Sequence, residues 1–473
     1  MNTETVRPAV TELRLSAFKT HRGVTLPLTR LTLLSGESGS GKSSALQAYE
    51  ILARLGSGES LARAVGEVAG SPAACVPAGA RPDAQGRRGF RIGCTVDGPA
   101  GPVSLDLAVQ AEPELRIVGE RLTGAGETLL TTALTDPDRP TVQAAWHTAG
   151  ATPVTRAPLP DDRLGTSLLP LRVAGKTAGQ RLVLAAAEQV VVALRSAFVC
   201  DPRPEVMRGA GPDGACGADG AGGAGGAGRG AGVRRSGRDA GLRGGPGQPG
   251  GAGGAAGSGG PRKRKSSGGE AGGWGRDTEG TRAEGRLRSS CENLPAVLER
   301  TSQECARRHA VLVAAVREAC AGPVEGLRAV PRQAGGTGQT QAGAAVPAGL
   351  VGAVGSRAGV TGVRAVLDRG ELGELPVEQL GDGELRFLAL ALVLLTGPEV
   401  LAMDPVGEVP SAHQQMTVMA DGMDRCMDPR QARELVSLAL RMTDRGHVRL
   451  LGTVRDASVA EGLPGVQVLH LGV

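Results

Sequence analysis

A chain of 473 residues allows two or three domains, or one large domain carrying an insertion. Only 4 Phe, 2 Trp and 1 Tyr stand against 75 Gly, so any core is built from Leu, Val and Ala and part of the chain is expected not to fold. With 53 Lys and Arg against 48 Asp and Glu, the net charge of +5 excludes a strongly basic protein and does not by itself argue for an acidic partner.

Met1 to Thr25 lacks a positively charged head followed by an apolar run, and no stretch approaches the roughly 18 apolar residues of a membrane span. The expectation is a soluble, cytoplasmic protein with no membrane partner. The eight cysteines (75, 94, 200, 216, 291, 305, 320 and 426) show no CxxC or Cys/His cluster and are expected to be reduced thiols.

In chain order, TELRLSAF and VTLPLTRLTLL between Thr11 and Leu34 read as two strands, the second leading into a Gly-rich turn and the helix-like SSALQAYEILARL. From Gly89 to Leu122, FRIGCTV, VSLDLAV and LRIVGERL predict antiparallel strands, followed by Pro-rich connections and a helix from Thr177 to Phe198. Residues 208–280 hold 30 Gly in 73 positions, too little apolar surface to offset the entropy of ordering them, and read as a disordered insertion. Residues 208–290 carry 14 Lys or Arg against 7 Asp or Glu, including the run from Arg262 to Lys265, so the basic excess sits in this insertion. Without aromatic residues interleaved for base stacking, that run is more readily a solubilising tether than a nucleic-acid site.

Apolar spacing predicts a helix from Glu292 to Ala321, and Gly335 to Gly362 reads as a linker. The last hundred residues alternate: strand VRAVL, helix LRFLALALVLL, strand MTVMA, helix ARELVSLALRM, then strands VRLLGTV and VQVLHL. That alternation predicts an α/β fold with a mainly parallel core sheet to which both halves contribute.

Gly36-Glu37-Ser38-Gly39-Ser40-Gly41-Lys42-Ser43, followed by Ser44, matches GxxxxGK[ST] between an apolar strand and a helix. In that setting backbone N–H groups wrap phosphate oxygens at a helix N-terminus, Lys42 neutralises the outer phosphates and Ser43 ligates Mg²⁺, so ATP with Mg²⁺ is the expected cofactor. A carboxylate that holds the Mg²⁺ shell is needed at the end of a neighbouring strand. Asp421, after MTVMA, is favoured by its spacing to the Asp-Pro pair, helix and strand downstream; Asp404, after VLAM, is the alternative.

The order of lead strand, P-loop, Leu380-Gly381-Asp382-Gly383-Glu384-Leu385-Arg386, Asp421, Asp428-Pro429, helix, Gly446 and a strand ending at Thr453 resembles the ABC-type ATPase heads of the RecF and structural-maintenance-of-chromosomes group. The opening LRLSAFKTHRGVTLPLTRLTLLSGESGSGKSSAL is particularly similar to RecF-like proteins. The resemblance spans residues 10–200, the first half of a head with P-loop and β subdomain, and 288–473, the second half with a helical segment. It implies a homodimer with ATP at the interface, where Gly381, Asp382, Gly383 and Glu384 contact the nucleotide of the other copy and Asp428 contacts the other subunit. DNA contact through the head or the insertion is a further implication, although no long heptad arm is present.

In the same register the catalytic Glu position holds Gly422, the switch His position Val454 and the signature Ser position Gly381. These groups act mainly in the transition state, whereas the P-loop supplies ground-state binding, so the expectation is ATP binding with little or no turnover. Glu408 is the substitute carboxylate that would restore hydrolysis. Gln85 and Gln110 read as surface amides, Asp424 as solvated, and Asp421, Asp424 and Asp428 as a poor metal cluster.

Overall fold

The computed structural model describes residues 7–148, 154–209, 286–331, 363–397, 400–401 and 415–472. The Gly-rich insertion, apart from its first two residues, the predicted 335–362 linker, Asp404 and Glu408 lie outside the described residues.

The first half runs β1 (Ala9–Phe18), β2 (His21–Pro27), β3 (Leu31–Ser35), α1 (Lys42–Gly56), α2 (Leu61–Ala69), β4 (Arg88–Asp97), β5 (Val103–Glu112), β6 (Arg116–Gly124), β7 (Glu127–Ala133), β8 (Thr141–His147), β9 (Val154–Pro160), α3 (Gly165–Leu168), α4 (Ala178–Arg195), β10 (Ala197–Cys200) and α5 (Pro204–Met207). The second half runs α6 (Leu294–Glu304), α7 (Ala306–Ala319), β11 (Gly326–Pro331), β12 (Val363–Asp368), β13 (Glu374–Pro376), α8 (Asp382–Leu395), β14 (Met416–Ala420), α9 (Pro429–Asp444), β15 (Val448–Thr453) and β16 (Gln467–His470).

The fold is mixed α/β. A five-stranded sheet, ordered β10-β14-β15-β3-β16, is parallel throughout, and it interleaves strands from both halves of the chain. Its central strands β3, β14 and β15 are buried at every position, as a parallel sheet covered on both faces requires. Successive residues face different cores. Leu33, Val418 and Leu450 join one built with α8 and α9, while Leu34, Met419 and Leu451 join another built with α1, α4 and an antiparallel sheet.

That antiparallel sheet has eight strands, ordered β2-β1-β4-β5-β6-β7-β8-β9. It is larger than the predicted hairpins of 89–122, because residues 127–160 add three strands in place of the Pro-rich connections expected there. The run VTLPLTRLTLL is not one strand but two, in different sheets. The chain turns at Leu28 to Arg30, where the Thr29 backbone N–H donates to Thr32 Oγ1 at 2.9 Å. Arg449 Nη2, from β15, holds the same corner by donating to the carbonyls of Leu28 at 2.8 Å, Thr29 at 3.0 Å and Val10 at 3.2 Å.

Three further expectations are corrected. The helix predicted from Thr177 to Phe198 stops at Arg195, and the β-branched and aromatic residues after it become β10, paired with β14. The single helix of 292–321 is two, because Cys305 leaves the helical region at φ −151° and ψ 82°. The strand VRAVL belongs to a separate three-stranded antiparallel sheet, β11-β12-β13. Helix α8 is apolar nearly all round and is buried from Leu385 to Leu395, so it is a core helix beneath the parallel sheet.

Candidate functional site

β3 delivers the chain into the P-loop and α1 begins at Lys42. Gly41 has φ 94°, and a Cβ there would stand 2.5 Å from His21 Nε2, so no other residue fits the turn that opens the helix. No side chain caps α1, which leaves its first N–H groups for an anion. Lys42 Nζ folds over the loop and donates to the carbonyls of Gly36 at 2.6 Å and Glu37 at 2.8 Å. Ser40 Oγ is buried without a hydrogen-bond partner. An uncapped helix terminus, a lysine within reach and an orphaned hydroxyl form a donor set that suits a polyphosphate with its metal.

Asp421 follows β14 at the carboxyl end of the parallel sheet, where open α/β sheets bind their ligands. It does not end a strand beside β3; β15 lies between, and its last residue, Thr453, spans the gap. Thr453 pairs with Leu34 in register, its Oγ1 donates to Asp421 Oδ1 at 2.6 Å, and it accepts from the Gly422 N–H at 2.7 Å. Ser43 and Asp421 line one cavity of about 600 Å³, together with Gln47 from α1, Asp201 and Arg203 after β10, and Arg425 after β14. Glu50 lines it too, and burial pushes its carboxyl above the usual range against the pull of Arg54.

The positions beside Asp421 lack hydrolytic groups in geometry as well as in type. Gly422 sits at φ 61°, a left-handed conformation that strains any L side chain. Val454 is 1% exposed and packs into the core, with its N–H donating to the Leu34 carbonyl at 3.0 Å. Asp424 is half-buried, and its Oδ2 accepts the backbone N–H groups of Arg455 at 2.7 Å and Asp456 at 3.0 Å in exposed contacts. Asp428 Oδ1 caps α9 through the Gln431 N–H at 2.8 Å. Among the described residues no three metal-ligating side chains form a group. Gln85 is exposed, but Gln110 is a buried amide that donates to the Glu114 carbonyl at 3.1 Å.

Gly381 to Glu384 open α8, and none of them lines the cavity of Ser43 and Asp421. Glu384 accepts the Gly381 N–H at 3.2 Å, and Asp382 pairs with Arg208 at 2.6 Å. A Cβ on Gly383 would lie 2.2 Å from the carbonyl oxygen of Cys426. Both sides of that contact are backbone, so Gly383→Ala is expected to lower stability by about 1–3 kcal/mol, the range for overpacking a tight site. The check is a fall in denaturation midpoint at unchanged slope; an unshifted midpoint would mean that this contact relaxes freely.

Four residues with positions in this site are given no role by the sequence. His21 Nε2 lies 3.0 Å from the Gly41 carbonyl and backs the P-loop. Thr453 is a landmark at a strand end until the sheet order places it beside Asp421. Arg386, on α8, donates to the carbonyls of Pro202 at 2.6 Å, Gly422 at 3.1 Å and Asp421 at 3.2 Å, tying the glycine-rich helix start to the segment after β14. Arg425 is the fourth.

Fold and site together define a mixed α/β protein with a strand, P-loop and helix unit facing a carboxylate across a parallel sheet. No protein-family model matches the chain, and no curated protein matches its sequence. Among solved structures it is similar to the SmcHead bound to the C-winged helix domain of ScpA, at 11% identity and TM-score 0.43 over 96% of this chain and 92% of that one. It is also similar to the SMC head domain from Thermotoga maritima, at 10% identity and TM-score 0.34 over 96% and 91%. A third likeness is to the Smc head domain with an extended coiled coil bound to the C-terminal domain of ScpA derived from Pyrococcus furiosus, at 10% identity and TM-score 0.38 over 96% and 91%. Likenesses at this level carry no activity or partner across to this chain. No helix among the described residues is long and apolar enough to cross a membrane.

Proposed function

We propose that the chain binds Mg-ATP at the P-loop and works as a nucleotide-dependent switch or scaffold of the RecF-like type, with little or no hydrolysis. Lys42 and the N–H groups at the start of α1 hold the phosphates, while Ser43 and Asp421 hold the metal shell. Two copies come together with nucleotide between them, each P-loop meeting the Gly381 to Glu384 element of the other. The cellular setting that the resemblance implies is DNA repair or chromosome maintenance in the cytoplasm, with DNA reached through the head or the insertion.

One observation supports this most: Asp421, which lines a cavity with Ser43, is followed by a glycine at 422 in a left-handed backbone conformation, and the residue after Thr453 is a buried valine. ATP supplies the charge to be held; the P-loop supplies ground-state contacts, and the two positions where the family carries its hydrolytic Glu and His supply no base to activate water. The test pairs Mg-ATP titration with phosphate release over hours, with and without DNA, and with the molecular mass in solution. Binding without release, and a mass that doubles with ATP, is the expected result. Release that requires Lys42 would make the protein an ATPase.

A further inference from the structure

We infer that Arg425 holds the terminal phosphate of ATP from the side where a hydrolytic carboxylate would stand, so that the site selects the triphosphate over the diphosphate. This rests on the ATP reading of the P-loop and gives a role to a residue with none so far.

Arg425 lines the same cavity as Ser43 and Asp421. The other arginines there are already engaged: Arg54 with Glu50 at 3.0 Å and also with Glu59 and Glu67, Arg203 with Asp201 at 3.1 Å, and Arg288 with Glu292. The Arg425 guanidinium makes no hydrogen bond or ion pair among the described residues, and its side chain is exposed to the cavity mouth. Its backbone is fixed by a turn, with the Arg425 N–H donating to the Gly422 carbonyl at 3.0 Å. The side chain then folds back over Gly422, its Nε 3.3 Å from where a Cβ at 422 would be. The space next to the metal carboxylate is therefore occupied by a cation.

Exchanging an anion for a guanidinium at this place reverses what the site does to a phosphate. A carboxylate repels the terminal phosphate and can take a proton from water. A guanidinium attracts the phosphate, matches its oxygens with paired donors, and cannot act as a base at any physiological pH. The P-loop grips the phosphates that ATP and ADP share, so an added contact on the metal side distinguishes the two nucleotides. Such a site holds ATP without promoting attack on it.

The experiment titrates Mg-ATP, Mg-ADP and a non-hydrolysable ATP analogue separately into the full chain, as wild type, Arg425→Ala, Arg425→Lys and Lys42→Ala. Wild type is expected to prefer ATP and the analogue over ADP. Arg425→Ala should lose about 10- to 100-fold in affinity for both triphosphates, the size of one or two charge-assisted phosphate contacts, and keep its ADP affinity. Arg425→Lys should recover part of the preference, and Lys42→Ala should lose all three ligands. An unchanged ATP to ADP ratio in Arg425→Ala would overturn the inference while leaving ATP binding intact. A wild type that binds none of the three would overturn both readings together.

Discussion

Lys42→Ala abolishes stabilisation of the protein by Mg-ATP. With ligand at a hundred times its dissociation constant, wild type gains about 2.7 kcal/mol, and the variant should gain almost none. The ammonium reaches over the P-loop, and its present partners are carbonyls of the loop itself, Gly36 and Glu37. Phosphate oxygens that take their place would each make a charge-assisted bond, and losing these should weaken binding by about 100-fold or more. The Glu37 contact is exposed and the Gly36 contact only part-buried, so water can replace the lysine and stability without ligand should change by less than about 1 kcal/mol. Thermal melts of both proteins with and without Mg-ATP decide the matter. Equal shifts in the two would sink ATP binding at this loop, and no shift in either would leave the fold serving a purpose that needs no nucleotide.

Arg449→Ala should be the most damaging single change outside the site. Arg449 is 8% exposed, and its guanidinium serves three carbonyls on two separate stretches of chain, Val10 at the start of β1 and Leu28 and Thr29 at the corner between β2 and β3. Burial pulls its pKa below the ordinary guanidinium value, the cost of holding this charge away from water. Truncation leaves buried acceptors without donors and a void behind them, which together should remove about 3–5 kcal/mol. Arg449→Lys keeps the charge on a compact ammonium with fewer donors and should recover part of that. Urea denaturation followed by circular dichroism measures both; a loss below about 1 kcal/mol for Arg449→Ala would show that water replaces the guanidinium at the corner.

What the sequence made legible was local. LTLLS is a fully apolar run of strand length, it meets a glycine-rich turn, and a helix pattern comes next, so β3, the P-loop and α1 could be read without knowing anything else about the chain. The strands of 88–124 alternate cleanly and could be read for the same reason. β7 and β8 were hidden because ETLLTTA and TVQAAWH place Thr and Ala where larger residues would mark a buried face, and β9 because VTRAPLP contains two prolines. As an edge strand, β9 tolerates them. The break at Cys305 was hidden because apolar spacing continues on both sides of it with no Gly or Pro between.

Around the P-loop, legibility ended where sheet order begins. That Thr453 bridges to Asp421, that Arg386 reaches behind it and that Arg425 folds over Gly422 all depend on which distant segments lie side by side. Val454 reads as a missing histidine in the sequence, but only the packed core shows why no polar side chain would be accommodated at that point without disturbing the sheet.

The strand order of the parallel sheet bears on how the protein is made. β3 is synthesised more than 400 residues before its two neighbours, β15 and β16. The Leu471 N–H closes onto the Ser35 carbonyl at 2.8 Å, immediately before the first glycine of the P-loop. Until those residues emerge, β3 lacks both ladder partners and the loop lacks the brace at Ser35. If the P-loop binds ATP as proposed, a product stalled before β15 would lack Thr453, the bridge between β3 and Asp421, and would not form the site.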